Sequence, residues 1–101
     1  MNTLSNIQSI YFVGIGGIGM SALARFAIKK NLAVFGYDKT QTALTATLEK
    51  EGADITFEDS VLSLPPKVKN NTSTLVVYTP AIPEDNKILQ WFTQQDYRVI
   101  K

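Results

Sequence analysis

The 101-residue chain contains neither cysteine nor histidine. Without cysteine it has no disulfide framework, no thiol nucleophile and no thiolate metal site, which is typical of a protein of the reducing cytoplasm. Without histidine it lacks the commonest general base and the commonest transition-metal ligand. Any chemistry therefore depends on carboxylates, lysine, tyrosine, serine and threonine. We expect a cytoplasmic protein with no metal site in this chain.

Excess charge and long apolar runs are also missing. Ten Lys and Arg residues against nine Asp and Glu give a net charge of +1. Such a balance provides no basic footprint for nucleic acid or for an anionic membrane. No stretch reaches the ~20 apolar residues of a membrane span. The opening MNTLSNIQS has neither the basic nor the apolar region of a signal peptide. We therefore expect no nucleic-acid partner and no membrane association.

Short apolar runs rich in β-forming residues alternate with segments of helical spacing. This pattern predicts strands over 10–13, 32–37, 55–57, 74–78 and 97–100. It predicts one helix after the glycines, a second with Thr40 as its N-cap and Gly52 as its stop, and a third from Glu84 or Asp85 to about Gln95. Residues 58–73 are predicted to loop, with a helical turn near 61–64. The alternation predicts a single α/β, Rossmann-like three-layer domain, with a mostly parallel sheet of about five strands and helices on both faces.

The predicted first helix should carry a distinct apolar stripe. Its residues at helical spacing are Met20, Leu23, Ala24 and Ala27.

Four glycines fall within six residues of the segment IYFVGIGGIGMSA (Ile10–Ala22). Gly14, Gly16 and Gly19 fit G-x-G-x-x-G between a predicted strand and a predicted helix, and Gly17 is the fourth. In that motif the first glycine allows the tight turn, the second lets a diphosphate approach the backbone, and the third allows close packing of helix on sheet. A glycine-rich turn that serves packing alone is the alternative interpretation.

An anion site is predicted where this loop opens the helix. The N–H groups of Gly17, Ile18 and Gly19 would be unpaired donors at a helix N-terminus, which favours negative charge. Asp38, 24 residues after Gly14, is predicted to end the second strand and to accept hydrogen bonds from ribose hydroxyls. Its alternative role is that of a helix cap. These features predict a nucleotide diphosphate and do not separate an NAD-type cofactor from a UDP-sugar.

The stretch FVGIGGIGMSALA (Phe12–Ala24) resembles the N-terminal signature of the Mur ligase family, in particular the branch that adds L-alanine to UDP-N-acetylmuramate. Three further stretches agree in order and spacing: GYD, TLEKEGADITF and LVVYTPAIPEDNKIL, at 36–38, 47–57 and 75–89. Tyr37 stands where the family usually has Ser, and Thr79-Pro80 where Ser-Ser is frequent. The resemblance covers about residues 7–101, and its Gly-Gly-x-Gly-Met-Ser run differs from dehydrogenase loops.

This resemblance implies that residues 1–101 are the N-terminal UDP-sugar-binding domain of a three-domain, ATP-dependent acid–amino-acid ligase. Such enzymes act in peptidoglycan precursor synthesis and so in cell-wall formation, cell shape and division. The implied partners are the UDP portion of UDP-N-acetylmuramate and the central and C-terminal domains of the same ligase. The chain has no G-x-x-x-x-G-K-[ST]. ATP, Mg²⁺ and the catalytic residues are therefore expected in the longer protein, and this part alone is expected to be inactive.

The resemblance also implies a set of binding residues. The backbone of Gly16–Met20 and the Ser21 hydroxyl would hold the diphosphate, Asp38 would reach the ribose or uracil, and residues after the fourth strand would wall the nucleoside. The full predicted UDP-sugar site comprises Gly14, Gly16, Gly17, Ile18, Gly19, Met20, Ser21, Asp38, Thr79, Ala81 and Ile82. Two rival functions stay open: an NAD(P)-binding domain of a dehydrogenase, and a non-catalytic nucleotide-sensing domain.

Overall fold

Five parallel strands and three helices make up the fold in the computed structural model, which describes residues 6–101. The strands are β1 (Ser9–Val13), β2 (Ala33–Tyr37), β3 (Asp54–Thr56), β4 (Thr74–Tyr78) and β5 (Arg98–Ile100). The helices are α1 (Ile18–Lys29), α2 (Ala43–Glu51) and α3 (Lys87–Gln94), with two 3₁₀ turns at Val61–Ser63 and Pro66–Lys69. The predicted α/β architecture is confirmed.

The sheet has the order β3-β2-β1-β4-β5, and all four neighbouring pairs are parallel. From β1 the chain moves outward through β2 to β3, then returns to place β4 on the other side of β1. The strand order therefore reverses between β1 and β4. In open α/β sheets such a reversal leaves a crevice at the carboxyl ends of the strands, where ligands bind.

Each face of the sheet is covered by its own hydrophobic cluster. One cluster joins Phe12 and Val77 of the sheet to Ala24 of α1 and Leu48 of α2. The other places α3 and the 3₁₀ turns on the opposite face: Tyr11, Val76, Leu64, Val68, Ile88 and Phe92 are buried together there. Burial on both faces explains why the central strands read as nearly continuous apolar runs. No helix in the range 6–101 is long and apolar enough to cross a membrane.

The helix α1 buries a narrower stripe than its sequence predicts. Met20, Ala24 and Ala27 are buried as expected, but Leu23 keeps 51% of its surface exposed. Arg25 forms an ion pair of 2.9 Å with Glu51 of α2, so the Arg25 flank of α1 faces that helix. Leu23 lies two residues away and about 200° around the axis, on the flank away from α2. Leu23 therefore has the helical spacing of the apolar stripe but is not part of the core.

The helix α2 is capped by a threonine other than the predicted one. Thr42 is its N-cap: the Thr42 hydroxyl accepts a hydrogen bond from the Thr45 N–H, and the Thr45 hydroxyl accepts one from the Thr42 N–H. This reciprocal pair is a capping box. The N–H of Thr40, the predicted cap, donates instead to Asp38. Gly52 ends the helix with a φ of +122°, which confirms the predicted stop.

The helix α3 begins at Lys87, two to three residues later than predicted. Its N-cap is Asn86, whose Oδ1 accepts a hydrogen bond of 2.9 Å from the Leu89 N–H. A second acceptor comes from far along the chain, because the Asp59 carboxylate accepts from the N–H groups of Lys87 and Ile88. These two side chains fix the start of α3 at the sheet edge that holds the crevice.

Candidate functional site

Three strands end level with one another at the candidate site. Val13, the last residue of β1, pairs with Tyr37 on β2 and with Tyr78 on β4. The loops that follow these strands therefore meet at one edge of the sheet and enclose a cleft of about 480 Å³. Its lining residues are Gly14, Gly17, Tyr37, Asp38, Lys39, Asp59, Thr79, Ala81, Ile82, Pro83, Asp85 and Asn86. Six of the eleven predicted site residues are among them.

Gly14 makes the tight turn that leaves β1, as predicted. Its φ is +94°, a region that L side chains rarely adopt. The turn lets the N–H groups of Gly14 and Ile15 donate to the same acceptor, the Tyr37 carbonyl, at 2.7 and 3.0 Å. A Cβ on Gly14 would lie 3.0 Å from the Ile82 side chain. The turn thus joins the ends of β1 and β2 and leaves room for the loop that follows β4.

Gly16 makes room for a carboxylate of the chain itself. Its N–H donates a hydrogen bond of 2.7 Å to Asp38 Oδ2. A Cβ at this position would lie 2.7 Å from that oxygen and 3.1 Å from Thr45 Cγ2. The contact supplies a structural reason for glycine here that the motif did not predict.

The close-packing glycine is Gly36 and not Gly19. A Cβ on Gly19 would meet no atom within 4 Å, so the predicted packing role of Gly19 is wrong. A Cβ on Gly36 would lie 2.7 Å from Ile15 Cδ1 and 2.9 Å from the Phe12 carbonyl oxygen. Gly36 therefore allows the glycine loop to fold back onto β2. A lone glycine inside a strand was the sequence signal for such a close approach.

The N-terminus of α1 presents free donors beside the cleft. Gly17 is its N-cap and has no side chain to cap the helix. The N–H groups of Ile18, Gly19 and Met20 donate to no group within residues 6–101. The prediction that the Gly17 N–H is also free is wrong, because it donates to the Gly14 carbonyl at 3.1 Å. The first turn of α1 also contains no acidic residue. This end of the helix has the donors and the partial positive charge that suit an anion.

The side chains of this first turn point elsewhere. The Ser21 hydroxyl donates at 2.8 Å to the Ile18 carbonyl, and Ser21 is only 6% exposed. The Met20 side chain is buried in the core between α1 and the sheet. The Ile18 side chain is 89% exposed at the tip of the helix. Ile18, Gly19, Met20 and Ser21, together with Gly16, adjoin the cleft without lining it.

Asp38 bridges the glycine loop and the loop that leads to α2. Its Oδ2 accepts from the Gly16 N–H, and its Oδ1 accepts from the Thr40 N–H at 3.0 Å. A carboxylate has about four acceptor positions, so roughly two remain for a ligand. Asp38 does not cap α2, since Thr42 has that role, so the alternative interpretation as a helix cap is wrong. Asp38 orders the start of the loop to α2 and lines the cleft, and its bonding to ribose stays a prediction.

Several residues of the cleft were not predicted from the sequence. Asp59 and Asn86 hold the start of α3, and Lys39 and Asp85 are exposed charges at the mouth. Asp59 lies 28 residues before Lys87 in an irregular region, so no local pattern indicated its capping role. Asn86 did carry a signal, since asparagine is among the preferred N-caps.

The cleft also changes the acidity of a tyrosine on its wall. Burial raises the pKa of Tyr37 above its usual value, and the carboxylates of Asp59 and Asp38 raise it further. Its hydroxyl therefore stays protonated and neutral at physiological pH. Together with the three aspartates of the lining, this gives the cleft a polar, acid-rich wall.

Comparison with known proteins identifies the family. The family described as "Mur ligase family, catalytic domain" matches residues 9–101. The chain belongs to the Mur ligase family. The UDP-N-acetylmuramate–L-alanine ligase of Christiangramia forsetii is 44% identical over 100% of this chain and 23% of its own length. That of Parabacteroides distasonis is 48% identical over 97% of this chain and 21% of its own.

Solved Mur ligase structures share the fold. The UDP-N-acetylmuramate-alanine ligase of Thermotoga maritima superimposes with a TM-score of 0.79 at 33% identity, over 91% of this chain and 20% of that one. The murein peptide ligase of Psychrobacter arcticus gives a TM-score of 0.75 at 22% identity, which shows the fold alone. The chain spans about a fifth of the length of the Mur ligases it matches.

Proposed function

We propose that this chain is the N-terminal domain of an ATP-dependent UDP-N-acetylmuramate–L-alanine ligase and that it binds the UDP portion of UDP-N-acetylmuramate. The observation that carries the proposal is the pairing of two features at the β1–β4 crevice. The free N–H donors at the start of α1 lie on one side, and the Asp38 carboxylate lines the cleft beside them. Relatives that are 41–48% identical and bear this ligase name support the choice of ligand.

The charges of the cleft indicate separate places for the diphosphate and the nucleoside of the ligand. Asp38, Asp59 and Asp85 line the cleft and would repel a diphosphate, and Lys39 is the cation among the lining residues. The diphosphate is therefore assigned to the N-terminus of α1, which has no acidic residue in its first turn. The uncharged nucleoside occupies the cleft, where Asp38 accepts from sugar or base groups.

The loop after β4 forms the wall against which the nucleoside lies. Thr79, Ala81 and Ile82 line the cleft, and Ile82 and Pro83 give that wall an apolar surface that suits the face of a base. The proposed site residues outside the lining are Gly16, Ile18, Gly19, Met20 and Ser21. Ile18, Gly19 and Met20 act through their free backbone N–H groups. The N–H of Gly16 donates to Asp38, and both the N–H and the hydroxyl of Ser21 donate within the turn that begins α1, so these two residues shape the site.

The ligase chemistry is assigned to the longer protein. No group of three or more acidic side chains that could hold a metal ion occurs within residues 6–101. The 101-residue sequence also has no Walker-type phosphate loop. The proposal places ATP and Mg²⁺ in a central domain of the longer protein. The role of this chain is to bind and orient the UDP-sugar during peptidoglycan precursor synthesis.

Calorimetric titration of the 101-residue protein tests the proposal. We expect UDP and UDP-N-acetylmuramate to bind weakly, because the sugar and lactyl groups would also contact the central domain. NADH should not bind, and phosphate should not be released from ATP. Binding of NADH with UDP ignored would instead favour a dehydrogenase domain. Binding of neither would remove the basis of the proposal.

A further inference from the structure

Asn86 has one polar group that the protein does not use. The residue caps α3, lines the cleft and is only 5% exposed. Its N–H donates to the Pro83 carbonyl at 3.1 Å, and its carbonyl accepts from the Gln90 N–H at 3.0 Å. Its Oδ1 accepts from the Leu89 N–H. Only Nδ2, which has two hydrogens to donate, lacks a partner within the part of the chain that the structure describes.

The orientation of this amide is fixed by its own hydrogen bond. An N–H donor at Leu89 can pair only with the amide oxygen, so the atom left over is the nitrogen. Among buried side-chain atoms of residues 6–101, the Tyr11 hydroxyl is the one sealed from solvent without a partner. The Asn86 nitrogen is therefore not sealed, and the cleft is the space that the residue lines. A ligand in the cleft can accept a hydrogen bond from it.

The position of Asn86 in the fold indicates which part of the ligand lies next to it. The diphosphate site is at the start of α1 on one face of the sheet, and α3 packs on the opposite face. A nucleotide that extends from α1 across the sheet edge presents the far edge of its base to α3. In a pyrimidine that edge carries the group at position 4, a carbonyl acceptor in uracil and an amino donor in cytosine.

We propose that Asn86 Nδ2 donates a hydrogen bond to the 4-carbonyl of a uracil-type base and is the residue that selects uracil over cytosine. The inference rests on the proposed function, in that the ligand is a nucleoside diphosphate. Asp59 has a positioning role: its carboxylate is already engaged by the N–H groups of Lys87 and Ile88 and holds the start of α3 in place. A cytosine would bring its amino donors against the Asn86 donor and leave both unpaired.

Helix capping alone would not require the amide nitrogen. Asparagine, aspartate and serine cap helices about equally well through their side-chain oxygen. Asn86→Asp therefore keeps the cap and the shape but replaces the donor with an acceptor. Asn86→Ser keeps the cap and removes the donor without adding charge. Both variants separate the proposed role from the structural one.

The experiment is a titration of wild type, Asn86→Asp and Asn86→Ser with UDP and with CDP, alongside thermal unfolding of the free proteins. The ratio of the two affinities is the readout, because a charge effect on the shared diphosphate cancels in it. Wild type should prefer UDP by roughly tenfold, the scale of one hydrogen bond. The preference should vanish in Asn86→Ser and reverse in Asn86→Asp, whose carboxylate accepts from the cytosine amino group.

Lys39→Gln is the matched control, since Lys39 is an exposed donor of the same cleft. It should lower both affinities together and leave their ratio unchanged. The inference is overturned if wild type binds UDP and CDP equally, or if folded Asn86→Ser keeps the wild-type ratio of the two affinities. It is also overturned if Lys39→Gln changes that ratio. In these cases UDP still binds, so the proposed function survives. Failure of wild type to bind either nucleotide would instead count against the proposed function.

Discussion

Gly16 and Asp38 are 22 residues apart, and the N–H of the first donates a hydrogen bond of 2.7 Å to the carboxylate of the second. This bond ties the glycine loop to the end of β2. A carboxylate that accepts a backbone N–H holds it more strongly than a neutral acceptor would. The loop is therefore ordered by the chain's own charge, and the free donors at the start of α1 are held in place without a ligand.

Gly16→Ala should destabilise the protein and weaken UDP binding. The added Cβ would lie 2.7 Å from Asp38 Oδ2 and 3.1 Å from Thr45 Cγ2, so both side chains would have to shift. We expect a loss of about 1–3 kcal/mol in the free energy of unfolding, the usual cost of overpacking. Denaturant unfolding and calorimetry on the same variant measure the two effects.

Gly19→Ala is the control in the same loop, because its Cβ would meet no atom within 4 Å. The free energy of unfolding should stay the same or rise by up to ~1 kcal/mol, since alanine favours a helix over glycine. Equal destabilisation by Gly16→Ala and Gly19→Ala would mean that the Asp38 contact does not determine the need for glycine at position 16.

Asp38→Ala should weaken UDP binding by about 1–2 kcal/mol, the scale of hydrogen bonds to a charged group. Inorganic pyrophosphate binding should hardly change, because the diphosphate is assigned to the start of α1. The variant also loses the acceptors of the Gly16 and Thr40 N–H groups, so its melting temperature should fall. A lower melting temperature with UDP affinity intact, once folding is allowed for, would limit Asp38 to a structural role.

Asp59→Ala should reduce stability through the start of α3. It leaves the N–H groups of Lys87 and Ile88 without their carboxylate acceptor, and loss of a helix cap costs about 0.5–2 kcal/mol. Asp85→Ala is the control: Asp85 lines the same cleft but makes no hydrogen bond or ion pair in the stretch 6–101. It should change the free energy of unfolding by less than about 0.5 kcal/mol. Urea unfolding measures the free energy of unfolding of both variants. Similar losses in the two would contradict the capping role of Asp59.

Tyr97→Phe should lower stability, whereas Tyr11→Phe should not. The Tyr11 hydroxyl is buried without a partner within the described residues, so its removal should leave stability unchanged or raise it. The Tyr97 hydroxyl donates at 2.6 Å to the Val68 carbonyl, so its removal should cost about 0.5–1.5 kcal/mol. Melting temperatures at neutral pH measure both.

Alkaline pH extends the Tyr11 test. Burial raises the pKa of Tyr11, and the carboxylates of Asp54 and Asp59 raise it further. The unfolded chain therefore releases this proton at a lower pH than the folded chain does, and stability falls as pH rises above the unfolded value of about 10. We compare the free energy of unfolding at about pH 9 and about pH 11, which bracket the pKa of an unfolded tyrosine. It should fall less in Tyr11→Phe than in wild type. An identical pH dependence would contradict this.

The sequence predicted the framework well because the signals for it are local. The run Thr74–Tyr78 is apolar and rich in β-formers, and it forms a strand with the predicted bounds. The cap of α2 was missed because Thr40 and Thr42 offer the same hydroxyl. The choice between them depends on Thr45, three residues after Thr42, and on Asp38, which engages the Thr40 N–H.

The parts of the site that could not be predicted depend on contacts between distant segments. The role of Asp59 exists only once the chain has brought α3 beside the 3₁₀ turns. The need for glycine at position 36 comes from Ile15, which the turn at Gly14 folds against β2. Leu23 has the spacing of a core residue, yet the flank of α1 on which it lies is not covered. Sequence periodicity shows which residues align along a helix but not how wide the covering surface is.

The placement of β1 between β2 and β4 also has a consequence for synthesis. A ribosome makes the glycine loop early, but the loop after β4 and the start of α3 emerge only when the chain has reached Asn86. The buried hydrogen bond of 2.9 Å between Ser9 and Thr74 joins residues 65 positions apart, so the central pair of strands closes late. A nascent chain that ends before Thr74 would contain the glycine loop without the loop after β4 and the start of α3, which complete the cleft. The nucleotide of the proposed function therefore cannot assist folding until the chain has been made as far as Asn86.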